Sequence, residues 1–225
     1  MLRRTLTGSA LAMMLAGSAV MAVLIYTGTI ERWHGIGLLA ALIAFLIYSF
    51  IRESQNGNGA AIVHQSEAAE VPSPPGGKLG SVAFLLGGVA VLIVGAQLLV
   101  YGATETARSF GISEAVIGLS LVAVGTSLPE LASVCVAAWR GHTDVALGNV
   151  IGSNIFNIFA ILGVTSITSP ISVDPHFQGV DIWVMLAASS LLLPLMLSGA
   201  RICRLEGALF LAAYAAYIAW IYHYM

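Results

Sequence analysis

Charged residues are scarce in this 225-residue sequence. They make up 9% of the chain, against roughly 25% in soluble globular domains. Nine Lys and Arg face eleven Asp and Glu, which leaves no basic surface to support nucleic-acid binding. Cysteine is also scarce: Cys135 and Cys203 lie in or beside apolar runs and outside any CxxC or Cys/His cluster. The sequence therefore indicates neither a disulfide framework nor a zinc site.

Long apolar runs dominate what remains. The chain is 58% hydrophobic, and its mean hydropathy is +0.92. A helix needs about 20 apolar residues to cross a bilayer, and about seven segments are long enough. We therefore predict an all-α polytopic membrane protein. The predicted spans are 7–27, 35–51, 80–102, 114–139, 144–168, 181–199 and 206–224.

A polar segment rich in Pro and Gly separates the second predicted span from the third. Such a composition is typical of a linker. It predicts three parts: an N-terminal helix pair (1–53), a cytoplasmic linker (54–79) and a five-helix unit (80–225). Residues 1–24 taken alone also fit a secretory signal peptide, because two arginines precede an apolar stretch.

The distribution of Lys and Arg predicts the orientation of the chain. Cytoplasmic loops carry the excess of these residues. If the helices alternate, the N-terminus and the linker lie in the cytoplasm and the C-terminus lies outside. One side then receives Arg3, Arg4, Arg52, Lys78, Arg140, Arg201 and Arg204, and the other receives Arg32 and Arg108.

The two ends of the chain resemble each other at an offset of 172 residues. Arg32 and Gly35 align with Arg204 and Gly207 without gaps, within apolar segments that also match. Under the predicted topology the two copies run in opposite directions, as in transporters built from inverted repeats.

The first copy is only partly present. Residues 80–225 form a complete five-helix repeat, whereas 1–53 match only its last two helices. Applying the offset to residue 80 places the start of a full first copy about 92 residues before Met1. We therefore expect three helices of a first repeat to be missing from this chain.

A polar cluster interrupts the predicted span 114–139. Gly125, Thr126, Ser127 and Pro129 combine flexibility, hydroxyl oxygens and a helix-breaking residue, and Glu130 follows directly. Carbonyls freed by such a break are tolerated only where they face protein or water. The cluster predicts an ion site, although a kinked helix whose Glu bonds to a neighbouring helix is the simpler alternative.

A second cluster lies within the predicted span 144–168. Gly152, Ser153 and Asn157 again predict a break in the helix, and the spacing of Ser153 and Asn157 places them on one face if the helix resumes. Close helix packing is an equally good interpretation of this cluster alone. Gln97 is similarly ambiguous, because it could line an ion path or bond to another helix.

Together the clusters offer a carboxylate, an amide oxygen, hydroxyls and carbonyls. These hard oxygen ligands suit Ca²⁺, which takes six to eight of them, and they suit Na⁺ as well. Soft thiolates and imidazoles are not placed with them, which argues against copper or zinc.

Residues 117–163, through GTSLPEL and GNVIGSNIFN, resemble the alpha-repeat of the cation/calcium exchanger superfamily. They are most similar to the prokaryotic sodium/calcium exchangers, including the potassium-dependent-like branch. The resemblance implies a transporter of two inverted five-helix repeats, not an enzyme. Such a protein exchanges Ca²⁺ for Na⁺ or another monovalent cation by alternating access and needs no cofactor beyond the transported ions.

The resemblance also implies roles for individual residues. Glu130 matches the principal carboxylate ligand, Thr126 and Ser127 add hydroxyl or carbonyl oxygens, and Ser153 and Asn157 complete this half of the site. Some family members have an acid where Asn157 stands, so this half-site carries one charge fewer and the transport stoichiometry stays open.

The expected environment is a prokaryotic inner membrane, with the lipid bilayer and the transported cations as partners. The expected missing helices call for a further partner, either a chain that supplies the first repeat or a second copy in a homodimer. The alternative function is a non-transporting remnant or a regulatory membrane subunit that associates with a full-length exchanger.

Overall fold

A computed structural model describes residues 2–55, 77–112, 114–197 and 203–224, and almost all of them are helical. Most of the predicted linker and Arg201 lie outside this part of the chain. The helices are α1 (Leu2–Tyr26), α2 (Arg32–Gln55), α3 (Gly77–Ser109), α4 (Glu114–Ile117), α5 (Ala123–Thr126), α6 (Leu128–Trp139), α7 (Thr143–Ile155), α8 (Leu162–Thr168), α9 (Val180–Leu197) and α10 (Arg204–Tyr224).

Two π-helical turns, at Gly118–Val122 and Phe156–Ile161, continue the neighbouring helices without a loop. A short antiparallel pair joins β1 (Thr29–Ile30) to β2 (Ile171–Ser172). A 3₁₀ turn at Pro175–Gln178 precedes α9. The apolar runs of the sequence are thus almost entirely helical, and the two short strands are the exception.

The prediction of an all-α polytopic membrane protein is confirmed, but the count of seven spans is not. Within the described residues five helices are long and apolar enough to cross a membrane, and the bent pair Gly118–Thr126 and Leu128–Trp139 makes a sixth if counted as one span. The predicted span at 181–199 corresponds to α9, whose apolar stretch Val180–Pro194 is shorter.

The chain packs into two compact units that alternate along the sequence. The first contains Met1–Ala68 and His142–Arg201, and the second contains Ala69–Gly141 and Ile202–Met225. The division into 1–53, 54–79 and 80–225 follows sequence similarity rather than packing, and it remains a prediction.

The core of the first unit comes from α1, α2, α7 and the π turn that follows α7. Met14, Ile30 and Ile151 are each 1% exposed. Ser18 on α1 bonds across to Ser189 on α9 at 3.1 Å between the two hydroxyl oxygens. The buried apolar residues of this core are Leu11, Met14, Leu24, Ile30, Leu38, Ile151, Ile155 and Phe159.

Helix α2 crosses α8 at a point where two glycines meet. A Cβ at Gly35 would lie 2.5 Å from the carbonyl oxygen of Gly163 and would also clash with the hydroxyl of Ser166. A Cβ at Gly163 would be 3.3 Å from the carbonyl oxygen of Gly35. Only glycine lets the two backbones approach this closely, as in small-residue contacts of membrane helices.

The helices α2 and α10, which align in the predicted repeat, begin in the same way. At the start of α2, the backbone N–H of Glu31 donates to Nδ1 of His34 at 3.0 Å. At the start of α10, the backbone N–H of Cys203 donates to the carboxylate of Glu206 at 2.7 Å. In each case a side chain three residues into the helix satisfies the cap N–H. The matching caps support the repeat alignment, which assigns Glu31 to Cys203 and His34 to Glu206.

The Gly35 contact generates a prediction about stability. Replacing Gly35 by Leu should destabilise the protein by about 2 kcal/mol or more, because overpacking adds strain at a fixed backbone contact. The thermal unfolding midpoint in detergent measures this. Gly37→Leu is the matched control, since nothing lies within 4 Å of a Cβ at Gly37. Because Leu has a higher helix propensity than Gly, the control should be as stable as the unsubstituted protein or more stable. If Gly35→Leu were equally stable, the close crossing of α2 and α8 would be contradicted.

Candidate ion-binding half-site

The first polar cluster forms a sharp bend in the chain. The segments Gly118–Thr126 and Leu128–Trp139 meet at 53°, and Ser127 between them has φ −91° and ψ 3°. Pro129 stands in the first turn of α6, where its missing N–H costs no intrahelical hydrogen bond. The predicted helix break is therefore confirmed, and it falls at Ser127.

Glu130 lies in the first turn of α6. Its side chain is half-buried, and its Oε2 atom is shielded from solvent. The N-terminus of a helix attracts a negative charge, by about 0.3–1 kcal/mol at an exposed site. A charged side chain at mid-membrane costs about 2.5–3.5 kcal/mol on insertion scales. The helix terminus therefore offsets part of the cost of the carboxylate.

The hydroxyls of this cluster leave oxygen lone pairs for a ligand. Oγ1 of Thr126 donates to the carbonyls of Val122 at 2.9 Å and Ala123 at 3.2 Å. A hydroxyl that donates its proton to the helix can still accept or coordinate through its oxygen. The side chains of Thr126 and Ser127 are both exposed. The bend thus presents two oxygen atoms and one carboxylate within five residues.

A cavity of about 530 Å³ lies beside the bend, between α3 and the segments that carry Gly125 and Thr126. Gln97 lines it from α3. At one end Glu105 and Arg108 form an exposed ion pair at 2.7 Å. Thr126 and Gln97 thus line the same cavity from opposite elements.

The second polar cluster belongs to the other compact unit. Ser153 on α7 is half-buried, and its Oγ donates to the carbonyl of Val150 at 3.1 Å. The amide nitrogen of Asn154 donates to the same carbonyl at 2.8 Å. Asn157 lies in the following π turn with an exposed side chain. Ser153 and Asn157 are therefore about one turn apart on one side of a continuous helix.

The expected break at Gly152 and Ser153 is wrong. The chain stays helical from Thr143 to Thr168, because no proline is present and glycine permits a break without requiring one. The helix instead widens into the π turn Phe156–Ile161. A π turn also disturbs the regular pairing of N–H and C=O groups, but it does so without bending the helix sharply.

The sequence did not reveal the two π turns. One precedes Gly125 by a few residues, and the other begins directly after Ile155 and contains Asn157. Turns of this kind are frequent at functional sites, and no residue pattern used above signals them. Oγ1 of Thr104, on the cavity wall, was also missed: it is buried, and no hydrogen bond to it is found among the described residues.

The five predicted ligands thus fall into two groups, Thr126, Ser127 and Glu130 in one unit and Ser153 and Asn157 in the other. Among the described residues no three His, Cys, Asp or Glu side chains cluster as a metal site. Each group alone is well short of the six to eight oxygens that Ca²⁺ takes.

The long apolar spans and the bent helix pair define the class of this protein as an all-α polytopic membrane protein. Residues 80–223 match the family of sodium/calcium exchanger proteins. The chain belongs to this family, which confirms the resemblance drawn from GTSLPEL and GNVIGSNIFN. It is a family of transporters rather than enzymes, as expected.

Individual relatives agree. The inner membrane protein YrbG of Escherichia coli K12 is 34% identical over 181 residues, which cover 80% of this chain and 55% of that protein. The sodium/calcium exchanger MaX1 of Methanosarcina acetivorans is 44% identical over 117 residues, 52% of this chain and 33% of that one. A solved structure of the sodium-calcium exchanger NCX_Mj superposes with a TM-score of 0.67 at 32% identity.

These relatives are longer than the matched segments. The superposition on NCX_Mj covers 95% of this chain but 65% of that one, and the matches to YrbG and MaX1 cover 55% and 33% of those proteins. The activity of a whole exchanger is therefore a proposal for this chain.

The bend generates a prediction about packing. A Cβ at Gly125 would clash with a methyl group of Val100 on α3. Gly125→Ala should lower the thermal unfolding midpoint, and adding Val100→Ala should restore part of the loss because it removes the clashing methyl. The double-mutant cycle should give a coupling energy of about 0.5–3 kcal/mol. Additive effects of the two substitutions would show that α5 does not pack on α3 in this way.

Proposed function

We propose that this chain is part of a secondary antiporter that exchanges Ca²⁺ for Na⁺ or another monovalent cation by alternating access. The observation that carries the proposal is the bend at Ser127, which places Glu130 and two hydroxyl-bearing residues at a helix terminus within an apolar span. Ser153 and Asn157 are proposed as further oxygen ligands.

The charge of the ion requires a second half-site. Glu130 is the one carboxylate among the five proposed ligands, so it offsets only one of the two charges of a Ca²⁺ ion. An uncompensated charge in a low-dielectric site is unfavourable. A complementary repeat that brings at least one further carboxylate neutralises the ion and raises the number of oxygens toward the six to eight that it takes.

The same carboxylate explains why exchange, rather than free passage, is expected. Without a cation, Glu130 is a partly buried negative charge, and a charge at membrane depth costs about 2.5–3.5 kcal/mol before its contacts within the protein are counted. The empty site therefore resists moving through an occluded state. Ca²⁺ or monovalent cations each remove this cost, so a loaded site changes its exposure more readily, and one ion is traded for the other.

The chain alone is proposed to be an incomplete transporter, completed by a polypeptide that carries the first repeat. The matched share of its relatives supports this, since they carry additional chain. Its setting is proposed to be a prokaryotic inner membrane, with the N-terminus and the linker in the cytoplasm and the C-terminus outside. Lys and Arg near the ends of the spans support that orientation.

The direct test is ⁴⁵Ca²⁺ uptake into everted vesicles loaded with Na⁺, with this chain alone and with a co-expressed fragment of YrbG that consists of the part outside the matched 55%. Uptake should depend on the Na⁺ gradient and should require the fragment. Glu130→Gln should reduce it to the level of empty vesicles, because the ion loses its charged ligand. Ser153→Ala should weaken apparent affinity by about tenfold, the scale of one neutral oxygen contact.

Glu31→Gln is the matched control, because Glu31 precedes α2 in an exposed turn and should leave uptake unchanged. Uptake that survives Glu130→Gln contradicts the proposed site. Uptake by the chain without the fragment contradicts the incomplete-transporter proposal. No uptake in any combination, with insertion verified, supports the remnant or regulatory-subunit alternative.

A further inference from the structure

The cavity beside the bend is charged at one end and mostly apolar along its length. It lies within the second compact unit, and α3 forms one wall of it from Ile93 to Arg108. Tyr101 on this wall is 69% exposed, so the cavity is open along one side. Its apolar lining residues are Ile93, Ala96, Val100, Val122, Gly125 and Pro129.

The length of the cavity along α3 matches one leaflet of a bilayer. A rise of about 1.5 Å per residue gives about 22 Å from Ile93 to Arg108. Half of a bilayer, counted with its headgroup region, measures about 20–22 Å. Helix α3 is long and apolar enough to cross a membrane, and Arg108 lies in its last turn. The charged end of the cavity is therefore expected at the lipid headgroups, and Ile93 is expected near the middle of the membrane.

Thr104 places a hydrogen-bonding group inside the cavity. It lines the cavity and is 8% exposed, and its Oγ1 has no hydrogen-bond partner among the described residues. A buried hydroxyl without a partner is unfavourable, and a helical Thr can avoid this by donating to the carbonyl one turn before it. Thr106 does so, because its Oγ1 donates to the carbonyl of Gly102 at 2.8 Å. The hydroxyl of Thr104 is instead available to a molecule in the cavity.

The order of the groups along α3 fits a phospholipid whose headgroup lies at the end of the helix. The guanidinium of Arg108 suits a phosphate, and the carboxylate of Glu105 suits an ammonium group. Thr104 lies one turn before Arg108 on the same face, where its hydroxyl can donate to an ester carbonyl below the phosphate. An acyl chain then follows the apolar wall toward Ile93. It meets no unbonded donor at Thr126, because that hydroxyl donates to backbone carbonyls.

The ion pair at the end of the cavity indicates which headgroup fits. Glu105 and Arg108 are each about half exposed and 2.7 Å apart, so a headgroup meets a carboxylate and a guanidinium together. A zwitterionic phosphoethanolamine group offers an opposite charge to each, whereas an anionic headgroup meets repulsion from Glu105. We propose that the cavity binds a phosphoethanolamine lipid of the surrounding membrane, with its acyl chain beside Thr126. The inference does not depend on ion transport.

The experiment is native mass spectrometry of the full, tagged chain in mild detergent, titrated with palmitoyl-oleoyl phosphatidylethanolamine. Thr104→Val keeps the shape of the side chain and removes the hydroxyl, so it should weaken binding by about threefold to tenfold, the scale of one neutral hydrogen bond. Thr106→Val is the matched control, because Thr106 is on α3 but is not among the residues that line the cavity. It should stay within about twofold of the unsubstituted chain. Thermal unfolding of each variant verifies that it folds.

Headgroup selectivity tests the charged end of the cavity. The unsubstituted chain should bind phosphatidylethanolamine more tightly than phosphatidylglycerol, which has the same phosphate but no ammonium group. Glu105→Gln should remove this preference, because it removes both the partner of the ammonium and the repulsion of an anionic headgroup. Arg108→Gln should weaken the binding of both lipids, because both carry the phosphate.

Equal binding by Thr104→Val and the unsubstituted chain overturns the proposal, because the lipid then lies outside the cavity. Equal affinity of the unsubstituted chain for the two lipids overturns the assigned headgroup. Weaker binding by Gln97→Leu contradicts the assigned direction of the acyl chain, since a more apolar wall should hold the chain at least as well. Displacement of the lipid by the co-expressed YrbG fragment also overturns the proposal, because the cavity then receives a protein segment.

Discussion

The arrangement depends on one constraint, the cost of holding the carboxylate of Glu130 in an apolar setting. The bend at Ser127 lowers this cost, because it places Glu130 in the first turn of α6, where the helix terminus favours a negative charge. We propose that a transported cation offsets a further part of the cost. A site that is more stable with a cation bound is suited to exchange, because it is costly to leave empty.

The two polar clusters interrupt regular α-helix in different ways. The first breaks the helix and bends it by 53°, with Pro129 starting the new helix. The second keeps the helix and widens it at Phe156–Ile161. A bend redirects a helix and frees its terminal groups, whereas a π turn preserves the path of the span. In the first unit, which also contains the close crossing at Gly35, the proposed ligands Ser153 and Asn157 lie on a continuous helical segment.

Much of this follows from the sequence for physical reasons. The length and apolarity of the segments predict the spans. Pro129, close to Gly125 and Ser127, predicts the break, because proline has no backbone N–H to donate and its ring clashes with the preceding helical turn. The continuity through Gly152 was not predictable from the same reasoning, since glycine permits a break without requiring one. The alignment of Arg32 with Arg204 anticipated two helix starts, and the matching caps at Glu31 and Cys203 agree with it.

The central claim is the proposal that the bend at Ser127 binds the transported cation. Its most direct test is the rate at which a monofunctional thiol reagent labels Ser127→Cys in native membranes, in a chain whose Cys135 and Cys203 are replaced by Ala and with the fragment co-expressed. The account predicts that Ca²⁺ slows this labelling and that the protection disappears when Glu130→Gln is added. Labelling at the same rate with and without Ca²⁺ would contradict a cation site at the bend.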